Sequence, residues 1–210
     1  MHADYILRRG RLGFGLTLAA TAFLLGGCTG NYPGLTAGGP SPTPEYAIGP
    51  EDSVNVFVYH APELSVQTPV RPDGRISTPP SPDVVAFGKT PTQLAHEIQA
   101  NLQKYVQEPN VTVMVNGFHG PPDQAIRAVG EVAQITEMPY RAHLSLLDVV
   151  IAAHGLTRFA AGNRTLIVRQ GPNGPQTYQI RLDDLLKGGD VTQNIAMQPG
   201  DTVVVPEAWF

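Results

Sequence analysis

The sequence predicts an α+β protein made of short strands and few helices, arranged as two small consecutive domains. Three observations carry this. Glycine (22) and proline (20) are abundant among 210 residues while charged residues make up only 15%, a balance that favours many turns over long helices. Val54, Val56 and Val58, and again Val111, Val113 and Val115, alternate with their neighbours in the period-2 pattern of strands. The clearest helical stripe, Leu94, Ile98, Leu102 and Tyr105, follows Thr90-Pro91, with Thr as N-cap and Pro at the first helical position.

At the N-terminus, Arg8, Arg9 and Arg11 form a positive region and Leu12 to Leu25 an apolar run, shorter than the ~20 residues a spanning helix needs. The run closes on Leu25-Gly26-Gly27-Cys28, and Cys28 is the only cysteine, so it has no partner for an internal disulfide. The pattern predicts a lipoprotein signal over 1–27, cleavage before Cys28 and acylation of its thiol. The competing reading is a buried cysteine in a membrane anchor. Thr29 and Gly30 lack the aspartate that often retains bacterial lipoproteins at the inner membrane, so the expected location is the periplasmic face of the outer membrane. Residues 1–27 carry three arginines and one aspartate. The remaining 183 residues hold 11 basic and 17 acidic groups, a net charge of −6 with histidine neutral, which disfavours nucleic-acid binding.

The expected organisation is a signal (1–27), lipidated Cys28 with a flexible linker (28–45), a first domain (46–117), a linker (118–124) and a second domain (125–210). Asn31 to Pro44 is rich in Pro, Gly, Ser and Thr and reads as an extended tether. Ser53 to Tyr59 is a strand with apolar residues on both faces, as if covered on each side. Val66 to Arg71 and Arg75 to Ser77 flank Pro72-Asp73-Gly74, a turn in which Pro presets φ, Asp bonds its own backbone and Gly tolerates φ > 0; a hairpin is expected. The Thr90-Pro91 helix is stopped before Pro109, and Val111 to Val115 is the next strand. Gly117 to Pro122 has no periodicity and marks the boundary. The second domain reads as a strand (126–132) and a helix capped by Ser145 with Asp148 in a capping box, stopped near Gly155. A hairpin follows (165–169 and 176–180) around Gly171-Pro172-Asn173-Gly174, then a short helix (182–186) ending at Gly188-Gly189, and a last strand (202–205).

An internal echo joins Pro50-Glu51-Asp52-Ser53-Val54 to Pro199-Gly200-Asp201-Thr202-Val203. Each is a turn feeding a strand, with an aspartate placed to bond backbone N–H groups. Turn capping is favoured over catalysis, because neither aspartate has a partner carboxylate beside it. Other enzyme patterns are also incomplete. His96-Glu97 lacks a second histidine at position 100, which is Ala, so the two-histidine zinc arrangement is missing, and His60, His119, His143 and His154 are scattered. No nucleophile elbow or phosphate-cradling loop occurs. No catalytic residue, metal site or cofactor is expected. Arg71, Asp73 and Arg75 are candidate glycan or lumen contacts, because polar groups cluster at that turn; the alternative is a structural hairpin tip. Three placements of Trp209 and Phe210 stay open: on the second domain, against a neighbouring subunit, or at the membrane interface.

The stretches Tyr46-Ala-Ile-Gly-Pro-Glu-Asp52, Pro62-Glu63-Leu64-Ser65, Val70-Arg71-Pro72-Asp73-Gly74-Arg75-Ile76-Ser77 and Thr90-Pro91 resemble the N-terminal domain of polysaccharide export outer-membrane lipoproteins, the Wza-like family. Val129-Gly130-Glu131-Val132, Ser145 to Val150, Gly155-Leu156-Thr157, Asn163-Arg164 and Pro199 to Val203 resemble a soluble-ligand-binding β-grasp (SLBB) domain. Glu51 and His154 depart from the pattern, standing where the family commonly has glycine; a turn requiring φ > 0 at Glu51 would be strained. The resemblance implies a ring-shaped homo-oligomer that passes capsular or exopolysaccharide, coupled to an inner-membrane polysaccharide co-polymerase. The family's best-known members add a further SLBB domain and a C-terminal pore helix. Here five residues follow Val205, too few to span a bilayer, so the expectation is an anchored chain that works with a separate outer-membrane pore protein. The alternative is a monomeric periplasmic lipoprotein that binds glycan or scaffolds a secretion complex.

Overall fold

The computed structural model describes residues 32–35 and 44–209. The signal over 1–27, Cys28, most of the linker and Phe210 lie outside the described residues. Two hydrophobic cores organise the chain from Tyr32 onward, which is one compact unit.

The first core collects under a three-stranded antiparallel sheet of order β2-β1-β5, comprising β1 (Ser53–Tyr59), β2 (Val66–Pro69) and β5 (Asn110–Asn116). Val54, Val56 and Val58 point inward as their alternation requires, and meet Val111 and Val113 of β5 together with Leu94, Ile98 and Leu102 of helix α1 (Pro91–Leu102). The helix starts as expected: Thr90 accepts from the Gln93 N–H and the Gln93 side chain accepts from the Thr90 N–H, a complete capping box. It ends at Leu102, so Tyr105 falls beyond the stripe and is 65% exposed. The expectation that β1 is covered on both faces is also corrected. Phe57 is 45%, Tyr59 56% and Met114 46% exposed, because helix α1 packs on one face only.

The Pro72-Asp73-Gly74 turn forms, with the Gly74 N–H on the Arg71 carbonyl at 2.8 Å and the Arg71 N–H on the Arg75 carbonyl at 2.9 Å. The expected hairpin across it does not. β2 pairs with β1, while β3 (Arg75–Thr78) pairs with β4 (Ser81–Val85), a strand the sequence reading did not anticipate. Pro69 and Pro72 have no N–H to give to a β2–β3 ladder, and the Val70 N–H is taken by the Asp52 carbonyl at 2.8 Å.

The second core lies within a five-stranded sheet of order β7-β6-β10-β8-β9: β6 (Ile126–Gly130), β7 (Thr136–Met138), β8 (Thr165–Gly171), β9 (Gly174–Ile180) and β10 (Thr202–Val205). The first strand, β6, and the last, β10, pair in parallel at the centre, and every other pairing is antiparallel. Helices α2 (Leu146–Ala152) and α3 (Leu182–Gly188) contribute Leu146, Val149, Val150, Leu182 and Leu185 to this core. Both have the predicted ends: a Ser145–Asp148 capping box for α2 and left-handed Gly189 (φ +70°) after α3. The structure is α+β throughout. No helix of the described residues is long and apolar enough to cross a membrane, a statement that leaves strands aside.

Residues 33–35, within the expected tether, contact the second domain. The Pro33 carbonyl accepts from the Gln179 N–H at 3.1 Å, Gly34 bridges Gln179 in parallel, and Leu35 packs on the second core.

Glu51 and His154 both adopt the left-handed backbone that glycine would favour, at φ +69° and +60°. That conformation costs a non-glycine residue roughly 1–2 kcal/mol, whereas glycine costs about 0.5–1 kcal/mol in unfolded-chain entropy. Glu51→Gly is therefore expected to stabilise the protein by about 0.5 kcal/mol, with His154→Gly similar. A higher urea midpoint at unchanged slope would show it.

Candidate functional site

The turn before β1 is organised by a fully buried carboxylate, that of Asp52. It accepts from the Gly49 N–H (2.9 Å), the His119 N–H (2.6 Å), the Gly120 N–H (3.1 Å) and the Tyr46 hydroxyl. Turn capping was readable from sequence, since Gly49 is local. The other donors are not: His119 and Gly120 lie 67 and 68 residues away and belong to the segment leading out of β5. Asp52 therefore clasps the start of the first domain to the segment that leaves it. Gly49 permits the close approach, because a Cβ there would lie 1.9 Å from the Gly120 carbonyl oxygen.

Asp201, the other half of the echo, is equally buried and forms the matching clasp at β10. It accepts from the Gln198 N–H at 2.8 Å and takes a two-pronged bond from Arg169 of β8, Nε at 2.9 Å and Nη2 at 2.7 Å. The preceding Gly200 donates to the Gln124 carbonyl at 3.1 Å, and a Cβ on it would lie 2.6 Å from the Asp123 carbonyl oxygen. The 117–124 segment is thus held at one end by the Asp52 turn and at the other by the Asp201 turn.

This pinned segment floors a cleft of about 390 Å³. Tyr46, Phe118, Pro121 and Tyr140 supply its apolar walls, with His119 and Arg141 among the polar groups. Tyr46 and Phe118 meet edge to face, ring centroids 5.4 Å apart at 87°. With its hydroxyl committed to Asp52, Tyr46 offers the cleft its ring rather than its oxygen. Aromatic walls with a few polar groups at the rim suit a ligand that has both apolar C–H faces and hydroxyls. Glu45 adds a carboxylate to the lining. Among the described residues no cluster of three or more His, Cys, Asp or Glu could hold a metal ion.

Arg71, Asp73 and Arg75 come together at the Pro72–Gly74 turn, outside the cleft lining. Arg71 pairs with Asp73 and with Asp83 (2.7 Å), the Arg75 N–H reaches Asp73 at 3.2 Å, and the Arg75 guanidinium reaches the Asp83 carbonyl at 3.4 Å. Hydrogen bonds from Arg71 hold the Asp73 carboxyl below its usual range, and Asp73 with Asp83 pushes the Arg71 guanidinium up. The group is internally paired and half-exposed, the arrangement of a stabilised turn. Sequence reasoning found the Asp52 and Asp201 turns but missed Tyr46, Phe118 and Tyr140 as a group. They come from three distant segments that no spacing connects.

Burial, then the bond to Asp52, raises the Tyr46 phenol above its ordinary value. Its folded pKa thus exceeds the unfolded one, so the stability it brings is complete below about pH 10 and is lost as pH rises beyond. Ultraviolet titration should show one late-ionising tyrosine that Tyr46→Phe removes. Asp52→Ala strands the buried Gly49 N–H and three part-buried donors and should cost about 3 kcal/mol in urea unfolding.

Two family matches cover most of the chain. Residues 40–116 match the family described as polysaccharide biosynthesis/export protein, and residues 124–205 match the SLBB domain. Both are export and binding families, and members of the first are typically envelope-associated. Asp52 and the first core lie in the first match, Asp201 and the parallel β6–β10 pair in the second, and the Asp52 donors His119 and Gly120 fall between the two. The chain belongs to the polysaccharide export family, with the family's N-terminal domain followed by an SLBB domain.

Proposed function

We propose that the mature protein is a ring-forming subunit, lipid-anchored through Cys28 to the periplasmic face of the outer membrane, that conducts capsular or exopolysaccharide without catalysis. The observation that carries the reading is the open face of the β2-β1-β5 sheet. Phe57, Tyr59 and Met114 are exposed there, on a rigid surface that a neighbouring copy can cover. A closed ring of identical subunits needs two different complementary faces on each one, and the pinned 117–124 segment supplies a stiff body on which to present them. The aromatic cleft and the Arg71–Asp73–Arg75 turn are the proposed places of glycan contact. Export requires such contacts to be weak and repeated, since tight binding stalls a moving chain. The inner-membrane polysaccharide co-polymerase and a separate outer-membrane pore protein are the proposed partners.

A second reading, a monomeric glycan-binding or scaffolding lipoprotein, is favoured by the cleft, whose volume and aromatic lining fit a held ligand.

Light scattering of the lipidated protein in mild detergent separates the two. The conduit reading expects a closed multiple of the subunit mass, reduced to the monomer by the pair Phe57→Glu and Met114→Lys with the fold intact by circular dichroism. A monomer at every concentration, together with saturable binding of the exported glycan, supports the second reading instead.

A further inference from the structure

The strap formed by residues 32–35 lies on a continuous piece of the second domain that ends at Trp209. Gln179, which receives the strap, donates through its side chain to the Asn163 carbonyl at 3.0 Å. The next residue, Arg164, donates to the Glu207 carbonyl at 2.6 Å. The C-terminal segment is stapled along the same stretch: Ala161 N–H to the Pro206 carbonyl at 2.8 Å, Ala208 N–H to the Phe159 carbonyl at 2.7 Å, and a bridge between Ala160 and Glu207.

This piece carries an unusual surface for a chain of low charge density. Trp209, the single tryptophan of the protein, is 88% exposed, and Phe159 is 39% exposed. The Arg158 guanidinium lies over the Phe159 ring, 4.7 Å from its centroid. Arg158 and Arg164 are both exposed, as is Glu207, while the nearby carboxylates Asp183 and Asp184 pack on Gly162 and Asn163 and are paired with Lys187 and Arg181. Amphipathic aromatic rings beside long cationic side chains are the composition of a lipid interface, where rings lie at headgroup level and arginines reach the phosphates.

Chain length selects the same occupant. Cys28 precedes Tyr32 by four residues, a covalent reach of at most ~14 Å. A tether running freely to residue 45 would instead allow about 60 Å. Because residues 32–35 are paired to β9, the short distance governs. We infer that the Phe159–Trp209 end of the second domain is a membrane-seating surface for an anionic phospholipid face, with Trp209 at the interface and Arg158 and Arg164 on phosphate groups. This rests on the acylation of Cys28 proposed above. The anchor keeps the patch at high local concentration beside the membrane, so weak contacts suffice.

Trp209 is its own reporter. The full lipidated protein is reconstituted into vesicles of phosphatidylethanolamine and phosphatidylglycerol, with and without brominated acyl chains, and tested for flotation and tryptophan emission. The expected result is co-flotation, a blue-shifted emission and about a twofold loss of intensity with brominated chains, with the loss weakened by Arg158→Glu and Arg164→Glu together. Co-flotation with unshifted, unquenched emission overturns the seating surface and leaves the anchor standing. A blue shift without bromine quenching assigns Trp209 to a protein neighbour and also overturns it. Failure to float overturns the anchor and the surface together.

Discussion

The backbone between β5 and β6 has to leave one hydrophobic core and enter another, and its polar groups must be satisfied on the way. At His119 and Gly120 they are satisfied by the carboxylate of Asp52, which is itself closed to solvent. A buried carboxylate is costly unless its lone pairs are filled, and here Gly49 and Tyr46 complete the set. The dependence runs both ways: the turn before β1 needs the crossing segment to satisfy the lone pairs of Asp52, and the crossing segment needs Asp52 to satisfy its N–H groups. The position of Phe118 against Tyr46, and hence the shape of the aromatic cleft, follows from this mutual requirement.

Asp201 solves the same problem by a different route. Its partner is a guanidinium, Arg169, rather than a tyrosine, and its task is to bring the last strand beside the first of its domain. β6 and β10 run parallel and are distant in sequence, so their pairing cannot be secured by a short turn. The ion pair between β8 and the turn before β10, with the Arg127 N–H on the Asp201 carbonyl, sets the register of both neighbours of the central strand. The repeated Pro-x-Asp start thus marks two clasps with one logic and two chemistries.

Local grammar in the sequence was legible wherever the physics was local. The capping boxes at Thr90 and Ser145, the glycine stop at Gly189, the β8–β9 hairpin and the inward valines all depend on residues within a few positions of each other. Failures came where the competing partner was far away. The Pro72–Gly74 turn reads as a hairpin until the pairing of β2 with β1 is known, and β4 and β7 are too short and too polar to announce themselves. Tyr105 continues the apolar stripe on paper, but the helix stops one turn earlier. For the candidate site the aspartates were legible as turn residues. Their distant donors, and the aromatic wall they position, were not, because Tyr46, Phe118 and Tyr140 share a cleft only after the 117–124 segment is pinned.

The strap over Gln179 has a bearing on aggregation. A five-stranded sheet with two free edges invites edge-to-edge pairing with another chain, the route to open-ended fibres. Here one edge strand, β7, has only three residues, and the other, β9, has part of its bonding row already occupied by Pro33 and Gly34. With Pro33 and Gly34 on Gln179, the chain uses its own backbone to shorten the stretch of β9 open to pairing with another chain.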